Sequence, residues 1–399
     1  MDTQGSSIAQ RSLNRLYFDH QDMDYYFSWI AGREIYEGSD RDECFRAAEN
    51  IKDGDPASWQ SAWIALARSV EAQAQQLLNT GEREQARKAY LRACTYYRAP
   101  LFIMSAKDPR FLDLCQKMRA CFQTAAGLFD PPVETIAVPF QGKTLAGYFW
   151  KVDDSEEKRP TLIVIGGVET FAEDCYFITG QTGPQRGYNV LTVDLPGQGV
   201  NPEQGLHFGA KMEIPVGAVI DYCAGRHEID AERLAIYGFS WGGHIACKAA
   251  RYLPQLRAMI ANPAMPDVFR ATLAQQSGHD RRDPVTRTAF DQIVWRFGLK
   301  ISFNLRDIAA RFAKAYDYLV HGKINPAGIS IPALCMAGEG EAGITLQIAR
   351  DMYAKLPHPQ KKLVIFTAEE GGAAHCQVDN LALPNRVMFD WLDEVLTAS

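Results

Sequence analysis

The sequence has no run of about 18 consecutive apolar residues, so nothing in it reads as a membrane-spanning helix. Its opening, MDTQGSSIAQRS, has no apolar core of the kind that a secretory signal needs. Basic runs are missing as well. Lys+Arg number 42 against 48 Asp+Glu, a formal net charge of −6, and no patch is there to neutralise phosphates, which argues against a nucleic-acid partner. Nine cysteines are present, but no two form a C-x-x-C pair, so neither a zinc site nor a disulfide framework is legible. The glycine pair Gly197-Gln198-Gly199 completes no G-x-G-x-x-G, so that turn is no dinucleotide fingerprint. These absences point to a cytoplasmic protein that uses no metal and no cofactor. What is present is ordinary globular material: 399 residues, 47% hydrophobic and 23% charged, long enough for two or three domains.

The texture of the chain divides near residue 130. Before it, the spacing predicts helices over ASWQSAWIALARSVEAQAQQLLNTG, EREQARKAYLRACTYYRAP and FLDLCQKMRACFQTAAGLF, with Pro100 helping to close the second. Gly81, Ala86, Tyr90 and Ala93 resemble one tetratricopeptide-like hairpin, but no further copies follow at a fixed period, so a packed helix pair is expected. From Pro131 onward, short β-branched runs bounded by Gly, Pro and charge appear: VETIAVPF, TLAGYFWK, TLIVIGG, YNVLTVD, RLAIYG, RAMIAN, PALCMAG and KLVIFT. The first two flank Gln141-Gly142 and predict an edge hairpin. The others alternate with helical stretches and predict a mainly parallel sheet. An aromatic, helix-like insertion spans about residues 264–328, with Phe269, Trp295, Phe297, Phe303, Phe312 and Tyr318. The expected architecture is therefore α/β. It has an all-helical N-terminal lid domain over 1–130 and a catalytic sheet domain over 131–399 that carries a helical cap insertion.

The strongest chemical signal is Gly238-Phe239-Ser240-Trp241-Gly242, set between the strand RLAIYG and the helix HIACKAARYL. That is the context of a G-x-S-x-G nucleophile elbow in an α/β-hydrolase fold, where a strained strand-to-helix turn tolerates little bulk beside the serine. The base should then follow the last strand. His375 is the only one of eight histidines beyond KLVIFT; His244, close to the elbow, is expected to be a packed or solvated helix residue. The acid should follow PALCMAG, where the loop reads Gly338-Glu339-Gly340-Glu341. Spacing from Gly338 favours Glu341, with Glu339 as second candidate and the Asp351 region beyond. Backbone donors for an oxyanion are expected from Val168, or from Gly167 beside it, and from Trp241 after the nucleophile. Gly197 and Gly199 read as a structural turn.

In this order, GGVETFAED, VDLPGQG, YGFSWGG, the GEGE loop and EGGAAHC, behind a helical segment with AYLRACTYYR, resemble the α/β-hydrolases with a helical N-terminal domain. That group includes 2,6-dihydroxypseudooxynicotine hydrolase and the hydrolases that shorten polyketides in pigment pathways. Carried over by position, the resemblance implies Ser240 as nucleophile, His375 as base and Glu341 as acid, where members commonly have aspartate. It implies a serine hydrolase of secondary metabolism that cleaves a C–C bond next to a carbonyl, retro-Claisen fashion, in a hydrophobic aromatic or polyketide substrate. A carboxylesterase, thioesterase or acyl-transferring cyclase would use the same residues, and a non-catalytic binding protein on a hydrolase fold is the third reading. The expected partner is a small molecule, and a homodimer is compatible with the reading.

Overall fold

The computed structural model describes residues 11–267, 282–302 and 304–396. Helices come first. Gln21–Ala31 (α1) and Arg41–Ala48 (α2) precede a long antiparallel pair, Pro56–Asn79 (α3) and Arg83–Phe102 (α4), and then Phe111–Ala126 (α5). Local signals explain the boundaries. The Asp55 side chain accepts from the backbone N–H groups of Ala57 and Ser58 and so caps α3, with Pro56 at a position where no N–H is needed. Gly81, at φ 83°, makes the turn into α4. Pro100 does not close α4, which runs on to Phe102. It sits within the last turn, in a stretch where every residue from Ala93 to Phe102 is buried, so packing holds the helix past a proline that forfeits one backbone bond.

The eight predicted strands all form, in one sheet: Glu134–Phe140 (β1), Lys143–Trp150 (β2), Arg159–Ile165 (β3), Asn189–Val193 (β4), Ile229–Phe239 (β5), Ala258–Asn262 (β6), Ala333–Gly338 (β7) and Lys361–Phe366 (β8). Their order is β1-β2-β4-β3-β5-β6-β7-β8. β1 and β2 are antiparallel to their neighbours and the rest are parallel. The edge hairpin turns through Gln141 and Gly142, both at positive φ, with Phe140 opposite Lys143. Along the chain, Ala172–Thr179 (α6), Thr182–Gln185 (α7), Glu213–Ala224 (α8) and Trp241–Tyr252 (α9) intervene. They are followed by Pro284–Arg296 (α10), Leu305–His321 (α11), Gly343–Lys355 (α12) and Ala382–Leu396 (α13). The insertion lies between β6 and β7 as expected, and α10 and α11 belong to it. Its stretch 268–281, with Phe269, and residue Phe303 lie outside the described residues.

Alternation along the strands divides the core into two. In β5, Leu234 and Ile236 join one cluster, Ala235, Tyr237 and Phe239 the other. One face packs on α8, α9 and α12. The other packs on α6 and α13 and runs without a break into α1–α5, so the helical segment shares its core with the sheet. Among the described residues no helix is long and apolar enough to cross a membrane.

Candidate active site

Parallel neighbouring strands end at the same edge of a sheet, and loops leaving that edge meet there. β3 and β5 are paired, Ile165 opposite Gly238, so the loop after β3 and the turn after β5 lie side by side. A Cβ on Gly167 would stand 2.9 Å from the Cβ of Ser240. Ser240 occupies the strained turn the motif predicts, with φ 54° and ψ −126°. Its N–H donates to the carbonyl of Asn262 at the end of β6 (2.7 Å). The flanking glycines are needed sterically: a Cβ on Gly242 would fall 2.2 Å from the carbonyl oxygen of Ile165, and one on Gly238 closer still to that of Gly242.

β7 and β8 deliver the other two groups. His375 Nε2 is 3.0 Å from Ser240 Oγ, and its Nδ1 is 2.7 Å from Glu341 Oε1. Glu341 is buried at 6% exposure, so its charge is desolvated apart from this bond. The loop after β7 is fixed by the Glu339 N–H on Phe366 O (2.8 Å) and the Gly340 N–H on Ala373 O (2.9 Å). This aims Glu341, and not Glu339, at the imidazole. Glu339 turns away, its Oε1 accepting the Ala368 N–H at 2.8 Å. Asp351 lies down helix α12 and accepts from Gln347. Burial works against the His375 imidazolium, but Cys376 and Glu341, by charge and hydrogen bond, outweigh it and raise the pKa above the usual imidazole value.

Val168 follows Gly167, and Trp241 is the first residue of α9, where no carbonyl one turn earlier is placed to take its N–H. His244, as expected, is a packed helix residue. Its Nδ1–H donates to Met265 O (2.9 Å), and burial lowers its pKa to about 4, so it is neutral.

Several groups around the site carry no motif. The Tyr25 ring lies 6.1 Å from the His375 ring, and the His375 N–H donates to the Arg11 carbonyl (2.7 Å). On the other side Trp241 packs against Phe297 and Tyr318 of the insertion and against Phe208. Gln198, within the turn read as structural, donates through Nε2 to the carbonyls of Gly166 and Gly167 (2.6 and 3.0 Å). Tyr26 Oη donates to Glu169 Oε2 (3.1 Å). The cluster DMDYYF shows in the sequence as an excess of aromatics. Nothing marks Arg11 or Gln198, since their partners lie far off in the chain.

A model of the esterase FrsA-like family matches residues 6–301. The chain belongs to this family. Hydrolase pyiE of Pyricularia grisea is 33% identical over 92% of this chain and 94% of its own length. The 20-hydroxy-prefusarin hydrolase FUS2 of Gibberella moniliformis is 29% identical over 92% and 95%. The match to Hydrolyase poxO of Penicillium oxalicum, 32% identical, takes in 59% of this chain and 58% of that protein, so the chain spans less than two thirds of this relative. Among solved structures, 2,6-dihydroxy-pseudo-oxynicotine hydrolase aligns with a TM-score of 0.72 at 21% identity, covering 92% of this chain and 96% of that one, which shows the fold. The FrsA-like chain thus has the α/β-hydrolase fold, and the full-length relatives it matches are described as hydrolases.

Proposed function

We propose that this FrsA-like hydrolase is a serine hydrolase that cleaves a C–C bond next to a carbonyl in a hydrophobic, β-diketone-like substrate of aromatic or polyketide type. The observation that carries the serine mechanism is the unbroken hydrogen-bond chain from Ser240 through His375 to Glu341. His375 Nε2 takes the Ser240 proton as Oγ bonds to the carbonyl carbon, and the N–H groups of Val168 and Trp241 hold the resulting oxyanion, with Gly167 as the alternative first donor. The C–C bond then breaks with its electron pair going to the neighbouring carbon as an enolate. The imidazolium at His375 protonates that carbon. Water, deprotonated by the same imidazole, opens the acyl-enzyme, and Oγ regains its proton. Glu341 fixes the imidazole tautomer and stabilises the imidazolium between these transfers.

The bond type rests on the resemblance to the α/β-hydrolases with a helical N-terminal domain that the ordered motifs from GGVETFAED to EGGAAHC carry, since the catalytic residues themselves suit ester cleavage equally. The substrate class rests also on aromatic walls from α1 and the insertion, which suit a planar apolar molecule better than a small acetyl ester. In this reading the helical segment is a lid that belongs to the enzyme. Ester or thioester hydrolysis by the same residues is the second reading, favoured by the family's description as esterases.

The test has two parts. A fluorophosphonate should label wild-type protein and not Ser240→Ala. Turnover of an aryl β-diketone in D2O should give a carboxylic acid and a ketone bearing deuterium at the former bond carbon. Rapid hydrolysis of a matched ester with no cleavage of the diketone would replace the C–C reading with the second.

A further inference from the structure

The loop that carries Val168 is held by two buried cations from opposite ends of the chain. The carbonyl of Glu169 accepts from Arg98 Nη2 at 2.9 Å and from Arg296 Nη2 at 3.1 Å. Arg98 belongs to α4 and Arg296 to α10, and their exposures are 1% and 0%. Each guanidinium is anchored a second time, Arg98 Nε on Asp174 Oδ2 (2.9 Å) and Arg296 Nη1 on Gly197 O (2.9 Å). Asp174 in turn accepts the Phe171 N–H (3.0 Å) and Arg33 Nη2 (2.5 Å), and the Phe171 ring lies beneath both arginines.

Stability alone is a poor account of this arrangement. Three buried guanidiniums, those of Arg33, Arg98 and Arg296, share direct contact with one carboxylate, Asp174, or with carbonyls, while the Glu169 carboxylate is taken by Tyr26. Bringing like charges onto one carbonyl in a desolvated place is unfavourable. Burial and the nearby Arg98 push Arg296 down to about 10. What the arrangement does supply is a rigid loop and positive potential at the carbonyl two peptide units past the Val168 N–H, near where negative charge develops during acyl transfer.

We propose that Arg98 and Arg296 are positioning residues for the oxyanion-binding loop, through which the helical segment and the insertion both set the rate at Ser240. This rests on the serine-hydrolase reading above. Neither arginine touches substrate. Each holds the Glu169–Thr170 peptide, two peptide units past the one that carries the Val168 N–H, and so fixes the path of the loop that aims this N–H at the forming oxyanion.

The test uses the full chain with Arg296→Met and Arg296→Lys, a chromogenic ester, and an alkyl trifluoromethyl ketone that adds to Ser240 as a hemiketal oxyanion. Arg296→Met should lower kcat and weaken ketone binding by the same factor, roughly 10 to 100, with KM within about twofold, since only the charged adduct uses the loop. Arg296→Lys, which keeps a charged donor, should recover most of both. Unchanged ketone affinity, or a rise in KM alone, overturns the proposal and leaves Arg296 a packing residue. If Arg296→Met fails to fold, Arg296→Gln, neutral but still polar, takes its place: parallel losses in kcat and ketone affinity that Arg296→Lys does not share support the proposal, and a loss in melting temperature alone overturns it. Labelling of wild type by a fluorophosphonate is read first. Its absence at Ser240 overturns the serine-hydrolase reading itself, whereas labelling with an unmoved ketone affinity overturns only the role of the arginines.

Discussion

The two faces of the sheet are built from different chemistry. One is mainly aliphatic: Ile163, Ile165, Leu191, Ile236 and Met259 pack on Val216, Val219, Ile245 and Met352 from α8, α9 and α12, with Phe149 and Phe208 its buried rings. The other is crowded with rings, among them Tyr148, Trp150, Tyr176, Tyr237 and Phe239, and these continue into Trp59, Trp63, Tyr96 and Phe122 of the helical segment. The first face needs mainly apolar bulk, its one buried cation in α9, Lys248, sitting on Glu213 of α8. The second also holds the buried ion pairs Arg33–Asp174 and Arg98–Asp174 and the half-buried pair Arg119–Glu173, which demand specific partners as well as burial. The difference teaches where function is coupled to the fold. Only the aromatic face is continuous with α1 and α4, from which Tyr25 reaches His375 and Arg98 the loop beside Val168.

The comparison is sharpened first at the strand ends, which belong to neither face. Ser240→Ala removes one hydroxyl and no core contact, so kcat should fall by a factor on the order of 10⁶, as for nucleophile loss in other serine hydrolases, while thermal melting stays unchanged. A melting temperature that falls together with kcat would mean that the elbow depends on the hydroxyl for its packing. Next, Glu341→Gln should lower kcat by about 10⁴, because an amide fixes the wrong imidazole tautomer. Glu339→Gln should change it little, since its oxygen only caps the Ala368 N–H. Equal losses at the two positions, read by steady-state kinetics, would move the acid elsewhere.

The faces themselves are compared by truncation. Phe122 touches the rings of Tyr148, Trp150, Tyr176 and Phe177, so Phe122→Ala should cost about 3–5 kcal/mol in denaturant unfolding. Ile236→Val on the aliphatic face should cost about 0.5–1.5 kcal/mol. If the Phe122 variant is no less stable than the Ile236 variant, the helical segment does not share its core with the sheet in solution. By the same logic, residues 131–399 expressed alone should expose that ring-lined face and aggregate.

The smallest effect concerns pH. The mechanism needs neutral His375, and Cys376 and Glu341 raise its pKa. kcat/KM should therefore fall as pH drops, with a midpoint above the ordinary imidazole value of about 6.5. Glu341→Gln removes the carboxylate that supports the imidazolium, so its residual activity should show a midpoint moved downward. In stability the sign is opposite: a raised folded-state pKa stabilises the fold below the unfolded value, and that contribution is lost as pH rises through the folded one. A midpoint that stays in place in Glu341→Gln would mean that the carboxylate does not govern this titration.

Much of this molecule was legible from residue order. The eight strand runs, the hairpin at Gln141-Gly142, and the placing of Ser240 after β5, Glu341 after β7 and His375 after β8 follow from short β-branched apolar runs bounded by Gly, Pro and charge, turn chemistry and the rule that parallel strands end at one edge. These are local or topological properties, written within a few residues of where they act. The choice between Glu341 and Glu339 was only a spacing argument until the backbone bonds of Glu339 and Gly340 fixed which carboxylate faces the imidazole. Tertiary structure alone decided that the helical segment is continuous with one face of the sheet, that the Arg11 carbonyl anchors the His375 N–H, and that Arg98 and Arg296, about 200 residues apart in the chain, meet on one carbonyl. A guanidinium finds its partner by where the packed chain leaves a buried acceptor unsatisfied, and no period or motif in the sequence records that place.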